Sequence, residues 1–298
     1  MARVVECVPN FSEGRRKEVI EAIVEPFRVA PEVTLLDYAP DADHNRTVVT
    51  VAGDPENVLA AVFEAIRTAA SLIDMEEHTG EHPRMGATDV VPFVPIREIT
   101  MTECVDLARR LGSRVGEELG IPVFLYEAAA TRPERTNLAD IRRGQYEGWK
   151  TKINDPDWKP DFGPSALHPS AGATVVGARM PLVAFNVNLG TSDMRIANSI
   201  ARAVRHIGGG LRFVKALGIE MQDRGIVQVS MNLTNYTKTP IYRVMEMIRA
   251  EARRYGVPII SSEIIGLTPA ESLFDVAAYY LQLEGFSSSN VLENRMTE

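Results

Sequence analysis

Short runs with the two-residue period of a strand and longer runs with a helical period of about 3.6 residues follow one another in the same order twice along this chain. In the first half, residues 4–9 read as a short buried strand. Asn10-Phe11-Ser12-Glu13-Gly14 follows as a turn, with Ser12 as the N-cap of a helix. The apolar stripe of that helix is Val19, Ile20, Ile23, Val24 and Phe27, and it ends near Pro31. Residues 33–38 and 46–52 are the next strands, the second rich in β-branched side chains. Asp54-Pro55-Glu56 opens another helix, striped by Val58, Leu59, Val62, Phe63 and Ile66, and residues 89–94 form a further strand. A helix over 102–119 and a strand over 122–126 are appended. The second half repeats the order: strand 182–188, helix 192–206, strands 211–220 and 226–233, a helix opened by Thr239-Pro240 and running to Tyr255, and strand 258–264. Between the halves, residues 149–169 carry Pro156, Pro160 and Pro164, which forbid regular structure, so this stretch reads as a linker ordered by its aromatic side chains. The expected fold is α+β: two split-βαβ (ferredoxin-like) sandwich subdomains, each an antiparallel sheet with helices on one face, and a ligand cleft between them.

Composition narrows the function. The 298 residues suffice for about two domains and bury cores without disulfides or structural metals. With 32 basic and 40 acidic residues the formal charge is −8, and no run of Lys or Arg exceeds three residues, which argues against nucleic-acid and membrane-surface partners. Two cysteines, Cys7 and Cys104, exclude a disulfide framework and a four-cysteine zinc site. Arg3 and Glu6 interrupt the N-terminal apolar stretch, and nowhere do 18 apolar residues run together, so a cytoplasmic protein without a membrane span is expected.

Few residues can carry chemistry. His78 and His82 have a spacing that on a helix would place both rings on one face, but Gly80 lies between them and Pro83 pushes His82 out of the helical region, so no metal is expected. The segment His78-Thr79-Gly80-Glu81-His82-Pro83-Arg84-Met85-Gly86-Ala87 sets a carboxylate before His82 and a guanidinium soon after it. That arrangement suits proton transfer near neutral pH; the alternative is an exposed loop whose imidazole bonds a backbone carbonyl. Asp37, Asp41, Asp43, His44, Asn45 and Arg46 crowd the connection between the second and third strands, as a second candidate cluster or a solvated hairpin tip. Gly163-Pro164-Ser165-Ala166-Leu167-His168-Pro169-Ser170-Ala171-Gly172 is small, polar and Pro-stiffened, a composition that lets backbone N–H groups approach a ligand. It has neither the P-loop nor the dinucleotide fingerprint, and no nucleophile elbow occurs anywhere.

Taken together and in order, Val4-Val5-Glu6-Cys7-Val8-Pro9-Asn10-Phe11-Ser12-Glu13-Gly14, Asn45-Arg46-Thr47-Val48, the Gly80 to Ala87 segment, Asp161-Phe162-Gly163-Pro164-Ser165, Ala184-Phe185-Asn186-Val187-Asn188 and Gln228-Val229-Ser230 resemble the glutamate formimidoyltransferases. The resemblance implies transfer of a formimidoyl group between N-formimidoyl-L-glutamate and N5 of tetrahydrofolate, giving L-glutamate and 5-formimidoyltetrahydrofolate in histidine degradation. It implies His82 as the catalytic residue, Gly163 through Gly172 as the folate-binding loop, tetrahydrofolate as co-substrate with no metal, and a homodimer. It further implies subdomains at 1–178 and 179–298. A length of 298 residues leaves no room for the cyclodeaminase joined to this transferase in vertebrates, so a separate cyclodeaminase is expected to process the product. His82 would take a proton from N5 and deliver one to the leaving nitrogen, a role that asks for a pKa near 7 and contributes roughly 10²–10⁴-fold. Asp37 or Glu81 would stabilise amidinium charge, and Arg46 and Arg84 would anchor substrate carboxylates in a locally basic cleft. The alternatives are a related folate-dependent formyl transfer, 5-formyltetrahydrofolate metabolism, or a non-catalytic folate or amino-acid binding module.

Overall fold

Among residues 2–296, which the computed structural model describes, seven strands form one mixed sheet and four form another, and the chain divides between them at Arg179 and Met180. The first unit runs β1 (Val4–Cys7), β2 (Asn10–Phe11), α1 (Lys17–Val29), β3 (Val33–Asp41), β4 (Arg46–Gly53), α2 (Pro55–Leu72), β5 (Thr88–Arg97), α3 (Met101–Glu118), β6 (Val123–Glu127), α4 (Leu138–Ile141), α5 (Gln145–Lys152) and β7 (Thr174–Ala178). β1 and β2 are one strand interrupted at Val8-Pro9, and both pair antiparallel with β4 on one side and β5 on the other. β3 lies outside β4, so the β3–β4–β1/β2–β5 order is that of a split-βαβ unit. Val5, Cys7, Phe11, Val49 and Val51 alternate onto one face and pack with the stripes of α1 and α2.

Helix ends follow the local chemistry in part. Asp54 caps α2 by accepting from the backbone N–H groups of Glu56 (3.0 Å) and Asn57 (3.2 Å). Ser12 caps nothing. The chain continues as strand through Phe11, α1 begins only after Arg16, and the buried Ser12 hydroxyl donates to the Gly86 carbonyl at 2.8 Å.

The larger departure from the sequence reading lies between 128 and 178. β7 inserts between β5 and β6, parallel to both, and belongs to the first sheet. The stretch read as a linker is part of that unit's body. Val91, Phe93, Val123, Leu125 and Val176 face the core under α3, while Val90, Phe124, Tyr126 and Val175 face a second cluster. Ile141, Trp149 and Ile153 close that second cluster. The Trp149 ring lies 4.5 Å from Phe124, and its indole N–H donates to the Ile141 carbonyl at 2.9 Å. The extension is therefore buried on both faces, as parallel strands require, and the expectation of helices on one face alone fails here.

The second unit runs β8 (Val183–Leu189), α6 (Met194–Val204), β9 (Val214–Met221), β10 (Ile226–Leu233), α7 (Ile241–Arg254), β11 (Ile259–Ile265), α8 (Ala270–Leu281) and α9 (Leu292–Met296). Its sheet is antiparallel in the order β11–β8–β10–β9, which is the β5–β1–β4–β3 order of the first unit repeated. Val183, Phe185, Val187 and Leu189 of β8 pack with Ile200 and Val204 of α6 and with Val244 and Ile248 of α7. Thr239 does not cap α7; its hydroxyl is spent on the Arg212 carbonyl, and Pro240 precedes the helix without a side-chain cap. No helix among the described residues is long and apolar enough to cross a membrane.

Candidate active site

His82 stands in the middle of the connection from α2 to β5, and that connection is fastened on both sides of it. Upstream, the hairpin between β3 and β4 holds it. Asn45, at φ 48°, donates from its side chain to the Thr79 carbonyl at 2.8 Å, and the His78 Nε2–H donates to the Asn45 carbonyl at 3.0 Å. Gly80 passes so close that a Cβ there would lie 2.4 Å from the His44 carbonyl oxygen. Downstream, Arg84 is buried and spends its whole guanidinium on protein. It reaches Glu147 through two N–H···O bonds of 2.9 and 2.7 Å, Gln145 at 3.0 Å, and the ring nitrogen Nδ1 and carbonyl of His78 at 3.3 and 3.2 Å. The Arg84 carbonyl also accepts the Tyr146 N–H at 2.8 Å. Expected as a substrate anchor, Arg84 is instead the clamp that joins the His82 loop to α5, because a fork already paired bidentately has no donor left for a ligand. His78, with Nδ1 accepting and Nε2 donating, is a structural imidazole and does not pair with His82.

The Gly163 to Gly172 loop is laced to the same connection. Its entrance is fixed by Asp161, whose carboxylate accepts from the Leu125 N–H at 2.8 Å, the buried Arg135 at 2.7 Å and the Thr131 hydroxyl. At its exit, three to five residues beyond His82, the Ala87 N–H bonds the Ala171 carbonyl (2.9 Å) and the Ala173 N–H bonds the Met85 carbonyl (3.1 Å). Only glycine fits there: Gly172 has φ 70°, and a Cβ on it would meet the Met85 oxygen at 2.4 Å. His168 folds the loop on itself, its Nδ1 accepting the Ala171 N–H at 3.0 Å. Ala171 and Gly172 are consumed by this bridge, and Leu167 packs on the core. Gly163, Pro164, Ser165, Ala166 and Pro169 are exposed, and with the partly exposed His168 and Ser170 they form the face open to a ligand.

The charge around His82 is positive. Its imidazole is half-buried and makes no hydrogen bond among the described residues, and its pKa falls from 6.5 to about 3. Burial is the main cause, followed by Arg46, Arg142, His44 and Arg84. The site therefore holds a neutral base. The near-neutral pKa expected from the sequence is not that of the free site, because burial first, and then the surrounding guanidinia, disfavour the imidazolium. Arg46 opens β4 on the sheet face away from the helices, and burial, then the neighbouring Arg142, lower its pKa. Arg142 closes α4 and pairs with the buried Asp89, whose other oxygen accepts the Met85 N–H at 2.9 Å. Arg142 was invisible in the sequence: a four-residue helix has no readable period, and nothing marked residues 138–148 as part of a site. The acidic cluster at the hairpin is a turn device, Asp41 accepting from the His44 backbone (2.9 Å) and ring (2.8 Å). Glu81 is exposed beside His82. Asp37 pairs with Thr50 on β3, four residues along the ladder from Arg46, or about 13 Å, which takes it away from the imidazole. An open cleft of about 520 Å³ lies between the clamp and α5, but His82 does not line it, and its Glu76, Tyr146 and Lys150 bond one another.

A free imidazole on a doubly fastened loop, near the underpaired guanidinia of Arg46 and Arg142 and laced to an exposed glycine-rich loop, is an arrangement able to move a proton on an anionic substrate. Residues 4–179 match the formiminotransferase domain, N-terminal subdomain, and residues 184–296 match the formiminotransferase domain. A glutamate formimidoyltransferase of Streptococcus pyogenes is 54% identical over 99% of each chain, and one of Thermoplasma acidophilum is 54% identical over 98% of this chain and 97% of its own. The formimidoyltransferase-cyclodeaminase of Dictyostelium discoideum is 46% identical over 95% of this chain, which spans 54% of that protein. The chain belongs to the formiminotransferase family and is an enzyme of formimidoyl transfer.

Proposed function

We propose that the enzyme transfers the formimidoyl group of N-formimidoyl-L-glutamate to N5 of tetrahydrofolate, releasing L-glutamate and 5-formimidoyltetrahydrofolate, with His82 carrying the proton. The N5 lone pair forms a bond to the formimidoyl carbon, and the C=N electron pair moves onto the formimidoyl nitrogen. His82, neutral in the free site, accepts the N5 proton. The lone pair on the formimidoyl nitrogen then re-forms C=N, the C–N bond to glutamate breaks with its electron pair on the glutamate nitrogen, and that nitrogen takes the proton from His82, so that atoms and charge balance. The substrate's carboxylates supply the negative charge that the site lacks, raising the imidazole toward the range in which it gives its proton back. Gly163 through Ala166, with His168, Pro169 and Ser170, hold the folate, while Leu167, Ala171 and Gly172 anchor that loop to the protein. The observation that carries this reading is the unbonded His82 imidazole on a loop tied to the folate loop at Gly86 and Gly172.

The enzyme acts as a homodimer. Ile260, Ile265, Leu267, Leu273, Tyr279 and Tyr280 of the second unit are exposed and support an interface there. A cytoplasmic setting accords with the free thiols of Cys7 and Cys104, and a separate cyclodeaminase releases ammonia from the product.

The test is direct. Protein incubated with both substrates and then acidified yields the absorbance of methenyltetrahydrofolate. His82→Ala lowers kcat by roughly 10²–10⁴-fold and leaves tetrahydrofolate binding in place. A wild-type protein that binds folate without turnover overturns the reading, and so does a His82→Ala variant of full rate.

A further inference from the structure

Arg46 is a half-buried guanidinium with no hydrogen bond or ion pair among the described residues, and its Nε is closed to solvent. The Nε of Arg142 is also closed to solvent and unbonded. Placing two such cations side by side and withdrawing them from water is unfavourable unless an anion joins them. Asp89 answers one of the two charges, and the nearby Asp41 is spent on His44. One positive charge and two buried N–H donors are left over, beside the residue that handles the proton.

The chemistry of the donor says which anion fits. In an N-acylated or N-formimidoylated α-amino acid, the leaving nitrogen and the α-carboxylate carbon share one carbon and lie about 2.5 Å apart. A cation bordering the imidazole that protonates this nitrogen therefore meets the α-carboxylate before any group further along the side chain. We propose that Arg46 and Arg142 jointly bind the α-carboxylate of the donor, so that the site reads its substrate as an α-amino acid derivative. The inference rests on the transferase reading and adds the part of the donor that is recognised and the two residues that recognise it. Binding there also brings a negative charge to the cations that disfavour the imidazolium, so a donor without the carboxylate loses kcat as well as affinity.

The experiment crosses protein and ligand changes. Wild type, Arg46→Met and Arg142→Met are assayed with N-formimidoyl-L-glutamate, its α-carboxamide analogue and its γ-carboxamide analogue. Wild type is expected to disfavour the α-amide by about 10²-fold in kcat/KM and the γ-amide by much less. Each variant loses about 10²-fold on the parent donor, changes within a few fold on the α-amide, and keeps the tetrahydrofolate KM. Arg142→Met leaves Asp89 unpaired, so if it does not fold, Arg46→Met decides alone. Arg46 has no partner to lose, and this variant is expected to melt no lower than wild type. Equal losses on parent and α-amide, or a loss confined to the γ-amide comparison or to the folate KM, overturn the proposal. A wild type inactive on every donor overturns the transferase reading instead.

Discussion

His82 is kept unbonded on a loop fastened by Asn45, His78 and Arg84, and burial together with the nearby guanidinia sets how it titrates. With its pKa lowered to about 3 in the free enzyme, the imidazole remains a base far below its ordinary 6.5. The acid limb of kcat/KM, which reports the free enzyme, is therefore expected well below pH 6, while that of kcat, which reports the bound complex, lies higher. Arg46→Met removes the foremost of the charges that depress it and should shift the kcat/KM limb upward in pH. Steady-state profiles between pH 4 and 8 check both statements, and a limb near 6.5 that does not move with Arg46 refutes them. At this scale the sequence was half readable. Gly80 and Pro83 marked the His82 segment as non-helical, and the structure has it as a loop. Arg84 looked equally suited to a substrate carboxylate, because its partner Glu147 lies 63 residues away and only the fold brings them together.

The coupling between the two loops is a property of elements. The α2–β5 connection and the 163–172 loop meet through the Ala87–Ala171 and Ala173–Met85 backbone bonds, a short ribbon that needs glycine at 86 and 172. Gly172→Ala places a Cβ on a backbone at φ 70° and against the Met85 oxygen, so the ribbon must open. We expect the tetrahydrofolate KM to rise and kcat to fall, each by about tenfold, with a lowered melting temperature. A change in KM alone would mean that the loops act independently. The same scale shows why part of the fold was hidden. β1 and β4 alternate buried and open positions, and α1 and α2 carry long helical stripes, so the order of this part was legible. β7 is five residues buried on both faces and has no period to read. The segment from 149 to 169 has prolines enough for a linker, yet its Trp149 is completely buried. Two tryptophans and a tyrosine within a dozen residues were the clue that this stretch covers a sheet.

For the whole molecule, a chain of charge −8 carries the His82 imidazole among positive charges, and acid stability should expose that contrast. Burial lowers the pKa of His78, His82 and His168. Each binds fewer protons folded than unfolded, so each favours the folded state less as pH falls below about 6.5. Carboxylates held low by hydrogen bonds, such as Asp41 by the His44 backbone N–H and Glu76 by Lys150, lose their contribution only below about pH 4. Glu6, raised by burial, acts with the opposite sign but is one group against three. The interval from about 6.5 to 5 therefore belongs to the histidines, and the melting temperature should fall across it. His82→Asn should shrink that fall, because the amide does not titrate. L-glutamate, offering a carboxylate to Arg46 and Arg142, should restore part of it in wild type and less in Arg46→Met. Calorimetry at pH 7 and 5 with each protein decides the matter, since a flat wild-type profile would mean that these imidazoles are not neutral in the folded chain.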